Sequence, residues 1–141
     1  WNGTTCTGSQ TMRQWKTTNS TTAGTTSLTD GVANTDAMAT AGITLHPAAE
    51  ACRNAGPEWY LPARDELDLL YVSLVGQGDT TPGGPLGSTF DFNITGSFPA
   101  GWYWSSSEFG SFGAWDQRFS DGGQGSGASK DVGLAVRCVR R

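Results

Sequence analysis

The chain has 141 residues, enough for one domain with a real core, and only 16% of them are charged. Its net charge of −4 at pH 7 excludes nucleic acid and anionic membranes as default partners, because both demand a basic face. No apolar run reaches the length of a membrane span, so membrane insertion is not expected; Gly, Thr and Ser carry solubility, and Trp occurs six times, a composition that suits an exported domain.

In chain order, the first forty residues hold thirteen threonines and few aliphatics. Threonine suits extended backbone, and its hydroxyl competes for helix backbone groups. The expectation is therefore Thr-rich strands and loops wrapping the domain, with a turn at Thr29-Asp30-Gly31 and with Trp1, Trp15, Leu28 and Val32 as anchors. A disordered stalk is the rival reading. From Pro47 to Ala55 the residues read as a short helix, opened by proline in its first turn and stopped by Gly56-Pro57. Leu61-Pro62 introduces a second helix, about 63–74. Leu67, Leu70, Tyr71 and Leu74 recur there at i, i+3, i+4 and i+7 and form its buried face, while Arg64, Asp65 and Asp68 take the outer one.

Residues 76 to 101 hold seven glycines and three prolines with no helical period, which predicts a long loop dotted by Phe90, Phe92, Ile94 and Phe98. Three strands are expected after it: Trp102 to Ser107, Ala114 to Phe119, and Val132 to Val139. Alternation puts Trp115, Gln117 and Phe119 on one face of the second and Asp116 and Arg118 on the other; in the third, Leu134, Val136 and Cys138 point inward. A long polar, glycine-rich hairpin, Asp121 to Asp131, joins the last two.

Catalysis has little to stand on. Asp65, Glu66 and Asp68 lie in the first turns of a helix, where carboxylates meet the helix dipole favourably. His46 has no visible nucleophile partner, and Ser105-Ser106-Ser107 lacks the glycines and strand–turn–helix context of a nucleophile elbow. The single histidine and the absence of a Cys-x-x-Cys pair argue against zinc. No cofactor is expected; calcium on Asp79, Asp91, Asp121 and Asp131 is the alternative that the residue types allow. Surface recognition remains. Sugars are held by aromatic rings on their apolar faces and by polar groups on their hydroxyls. The candidate ligand-binding residues are Glu108, Phe109 and Phe112 in a glycine-spaced loop, and Asp121, Gln124, Ser126 and Lys130 in the last hairpin. One or both phenylalanines tucking into the core is the alternative, and Trp104 and Trp115 are expected in the core.

Three phrases carry a family resemblance: Glu58-Trp-Tyr-Leu-Pro-Ala-Arg-Asp-Glu-Leu67, Trp102-Tyr-Trp-Ser-Ser-Ser-Glu108 and Leu134-Ala-Val-Arg-Cys-Val-Arg140. In that order and at these spacings they resemble a bacterial extracellular family typified by the C-terminal domain of a collagen-like adhesin, the Lcl-type domain. The resemblance covers about Thr44 to Arg140. It implies an α+β, C-type-lectin-like fold, related to that of formylglycine-generating enzymes. The expected layout over 1–141 is a single binding domain, with a Thr-rich wrapping segment at 1–43 and the family-like core at 44–141. The resemblance also implies a disulfide between Cys52 and Cys138, leaving Cys6 unpaired; three buried free thiols are the alternative. Family members often carry a capping Ser or Thr where Ala63 stands. Lacking it costs on the order of 1 kcal/mol unless another group caps the helix.

Because the chain opens abruptly at Trp1, it is expected to be a fragment of a longer exported protein, and the resemblance implies a location that is extracellular or at a cell surface. The expected function is non-catalytic adhesion, recognising a surface glycan such as lipopolysaccharide at the tip of a pilus or phage tail fibre, with a homotrimer formed through the parent fibre. A structural fibre cap or protein–protein interaction module is the second reading. Polyanionic glycans would require Arg118, Arg137, Arg140 and Arg141 to gather on one patch.

Overall fold

The computed structural model describes residues 12–75 and 101–141. Trp1, Cys6, the 76–100 loop with its phenylalanines, Asp79 and Asp91, and the side chain of Leu74 lie outside the described residues. In chain order the elements are β1 (Met12–Gln14), α1 (Gly31–Gly42), a 3₁₀ turn (Ile43–Leu45), α2 (Pro47–Arg53), β2 (Trp59–Tyr60) and α3 (Arg64–Val75). Then come β3 (Trp102–Phe109), β4 (Gly113–Arg118), β5 (Gln124–Gly125), β6 (Gly133–Ala135) and β7 (Val139–Arg140). The fold is α+β, as expected. One sheet runs in the order β1-β6-β3-β4-β5, and β2 pairs with β7 in a second.

The antiparallel β3–β4 hairpin is the spine, and the alternation of its side chains makes two cores. Trp104 packs with Trp15, Met38, Cys52 and Leu61 on one side. On the other, Tyr103 and Phe119 pack with Leu67 and Tyr71 of α3. The disulfide Cys52–Cys138 ties α2 to the segment between β6 and β7, with its Cα atoms 5.3 Å apart. The expected strand from Val132 to Val139 is thus two short ones. Leu134, Val136 and Cys138 all lie partly buried against the first core.

The largest correction concerns the Thr-rich segment. Residues 31–42 form a helix, not extended backbone. The Asp30 side chain caps it, accepting from Ala33 N at 2.8 Å. Its buried residues are Gly31, Asn34, Thr35 and Met38, a helical i, i+3, i+4, i+7 stripe of mostly polar or small residues. Asn34 donates to Ser27 O and Ser106 Oγ, and Thr35 Oγ1 accepts from Leu61 N at 3.1 Å. Hydrogen bonds replace apolar burial on this face, so no hydrophobic period betrays it.

The missing cap of α3 is supplied from elsewhere. Glu66 Oε2 reaches back to Ala63 N at 2.8 Å and also accepts from Gly31 N, while Arg64 N donates to Ser107 Oγ and Asp65 N to Leu28 O. The serine triplet makes this possible. Between Trp104 and Glu108 the β3–β4 register shifts, so Ser105, Ser106 and Ser107 form a bulge opposite Trp115. All three are fully buried. Ser105 Oγ donates to Trp115 O, Ser107 Oγ to Ser27 O, and Ser105 O accepts from the Trp15 indole N–H.

Candidate functional site

One face of β4 and one face of α3 run in step. Two strand residues advance about 6.6 Å and one helical turn about 5.4 Å, so successive rungs stay nearly matched over a few residues. Phe119 meets Tyr71 edge to face at 5.5 Å, and Gln117 Nε2 donates to Asp68 Oδ1 at 2.7 Å. At the top rung the Arg64 guanidinium lies over the Trp115 ring, 5.0 Å from its centroid. The alternation expected for β4 therefore holds.

The lower rungs are covered, and the top one is not. Trp115 is half-buried, so it is not the core residue that was expected, whereas Trp104 is fully buried. Phe109, 53% exposed, stands edge to face against Trp115 at 5.4 Å. Arg64 NH2 sits 2.7 Å from Asp65 Oδ1, so the cation over the Trp115 ring is itself paired with a carboxylate. Phe109, Trp115, Arg64 and Asp65 thus make an aromatic ledge rimmed by an ion pair. Phe112, 56% exposed, belongs to the turn between β3 and β4. Neither phenylalanine is tucked into the core.

The remaining candidate residues divide. Gln124 is exposed on β5, opposite Gln117, and Ser126 is half-buried. Asp121 is exposed and holds Arg118, which lies over the Trp102 ring. The Arg118 hydrogen bond and the Gly123 N–H hold the Asp121 carboxyl below its ordinary range.

Glu108 and Lys130 are corrected outright, for both are buried. Lys130 Nζ contacts Glu108 Oε1 at 2.5 Å and donates to Ser20 O and Gly110 O, above the Trp15 ring. Burial lowers the Lys130 pKa, and Glu108 opposes that shift. Glu108 Oε1 also accepts from Thr22 N. Beside it, Lys16 Nζ donates to Thr22 Oγ1, which contacts His46 Nε2 at 2.9 Å, and His46 Nδ1 contacts Gly42 O. A carbonyl only accepts, so Nδ1 carries the proton and Nε2 accepts from the threonine hydroxyl. This buried network locks the Thr-rich segment onto β3 and the last hairpin. Sequence reasoning missed it because a lysine and a glutamate in polar loops look solvated.

Of the arginines that a polyanion would require, Arg118 stacks on Trp102 of the larger sheet and Arg140 on Trp59 of the smaller. Among the described residues, no three His, Cys, Asp or Glu side chains are grouped to hold a metal ion. Asp121 and Asp131 are engaged with Arg118 and Ser129 respectively. Arg64 and Trp115 escaped as site residues because their meeting depends on how α3 lies on β4; the outer-face assignment of Arg64 and the alternation of β4 were the only available signals. No family model matches this chain, and no curated protein matches its sequence.

Proposed function

We propose that this chain is a non-catalytic receptor-binding module that recognises a surface glycan, such as lipopolysaccharide, on the ledge of Phe109, Trp115, Arg64 and Asp65. The observation that carries the reading is the exposed Phe109 ring set against a half-buried Trp115 that already stacks with Arg64. Such a ledge offers a hydrophobic plane for the C–H face of a pyranose and, at its rim, a guanidinium and a carboxylate for the hydroxyls. The Cys52–Cys138 disulfide supports an oxidising, extracellular location, and no helix among the described residues is long and apolar enough to cross a membrane. With the three phrases that resemble the Lcl-type family, this favours a C-type-lectin-like adhesin domain at the tip of a pilus or fibre.

A stacked ring with a few hydrogen bonds gives a weak single site, about 4–8 kcal/mol. Copies presented together, as in a homotrimeric fibre, raise avidity by about 10²–10⁴. A glycan-array screen of the domain in multivalent form tests the reading. Binding to a defined set of glycans, lost in Phe109→Ala at unchanged melting temperature, is the expected result. No glycan bound, or equal binding by the variant, refutes it.

A further inference from the structure

On the opposite face of the hairpin from the ledge, a cavity of about 310 Å³ is lined by Trp102, Asp116, Gly125, Gly127, Ala128 and Leu134. Asp116 is 4% exposed, and its Oδ1 accepts no hydrogen bond among the described residues. A buried carboxylate oxygen without a donor is costly to keep. Burial pushes this carboxyl up to about 6, and only the backbone N–H groups of Gly125 and of Asp116 itself work against that; no lysine or arginine acts on it. Arg118, two residues along the same strand, is engaged by Asp121.

Gly125 leaves the space beside the carboxylate open. A Cβ on Gly125 would come within 2.4 Å of Asp116 Oδ1 and 3.4 Å of the Trp102 ring, whereas one on Gly127 would meet nothing within 4 Å. The cavity therefore combines one carboxylate without a counter-cation, an indole wall, 37% exposed, and an otherwise apolar lining. A polyhydroxylated ring would leave most of its hydroxyls without partners here. A protonated amine on an apolar stem would not: its N–H groups satisfy Oδ1, its charge neutralises the carboxylate, and its cationic end is attracted to the indole.

We propose that this cavity binds a primary ammonium group, with Asp116 as its counter-ion and Trp102 as its wall, at a site separate from the glycan ledge. The test is an NMR titration at pH 7.5, reading the Trp102 indole N–H signal, with butylammonium, with glucosammonium and with neutral butanol of matching stem. Saturable binding of butylammonium, at least tenfold tighter than butanol, is expected, with glucosammonium bound more weakly because its hydroxyls find no partners in this lining. Asp116→Asn should weaken that binding at least tenfold while the domain stays folded. Equal affinity for butanol, unchanged binding in Asp116→Asn, no binding of butylammonium, or glucosammonium bound as tightly as butylammonium would overturn the assignment. Because Phe109→Ala leaves this cavity intact, failure here and failure of the glycan reading are separable.

Discussion

At Asp116 the fold holds a carboxylate away from water and away from any basic side chain, and stability must register it. Its pKa in the folded state, about 6, lies above the ordinary 3.8, so between these values the native state binds the proton more tightly than the unfolded chain. Stability therefore falls as the pH rises through that window, by at most about 3 kcal/mol. Asp116→Asn should raise the melting temperature at pH 7.5 and bring little gain at pH 4, by thermal denaturation at the two pH values; equal gain at both would mean the charge is not the cause. His46 works in the opposite sense. Burial lowers its pKa, so the unfolded chain takes the proton first, and its contribution, present above about 6.5, is lost as the pH falls. The Asn variant should accordingly lose stability more steeply than the wild type on acidification from pH 7 to 5. Lys130 is simpler. Deleting it leaves Glu108 buried without its cation, so Lys130→Ala should cost roughly 3–5 kcal/mol in urea unfolding, far more than loss of a surface contact.

Among the elements, α1 and the β3 bulge decide how the Thr-rich segment is held. Asp30 is the N-cap of α1, and Asp30→Ala should cost about 0.5–2 kcal/mol, measurable by chemical denaturation. The legibility of each element follows from what it buries. The second and third helices were readable because proline opens one and an apolar stripe marks the other. The strands β3 and β4 were readable from alternating aromatics. The first helix buries Asn34 and Thr35 through hydrogen bonds, so hydrophobic periodicity is blind to it. For the same reason Lys130 and Glu108 looked like hairpin and loop contacts, because an ion pair closed by residues 22 apart is invisible to local pattern. Phe109 was legible from its glycine-spaced loop; its partners Trp115 and Arg64 were not, since only the step of α3 along β4 brings them together.

For the whole molecule, the disulfide closes 86 residues of sequence and fastens α2 to the segment that leads into β7. Cys138→Ser should lower stability by roughly 2–5 kcal/mol and leave the ledge intact, because neither Phe109 nor Trp115 touches that bridge. The molecule then consists of a closed scaffold with one aromatic ledge on the α3 face of its central hairpin and one carboxylate-bearing cavity on the other. Chemical-shift mapping of the isotope-labelled domain with its best-binding glycan tests the ledge. Shifts should concentrate at Phe109, the Trp115 indole and Arg64, and Arg64→Ala and Phe109→Ala should each weaken binding at least tenfold without unfolding the domain. Shifts confined to other surfaces, with both variants binding as the wild type does, would contradict it.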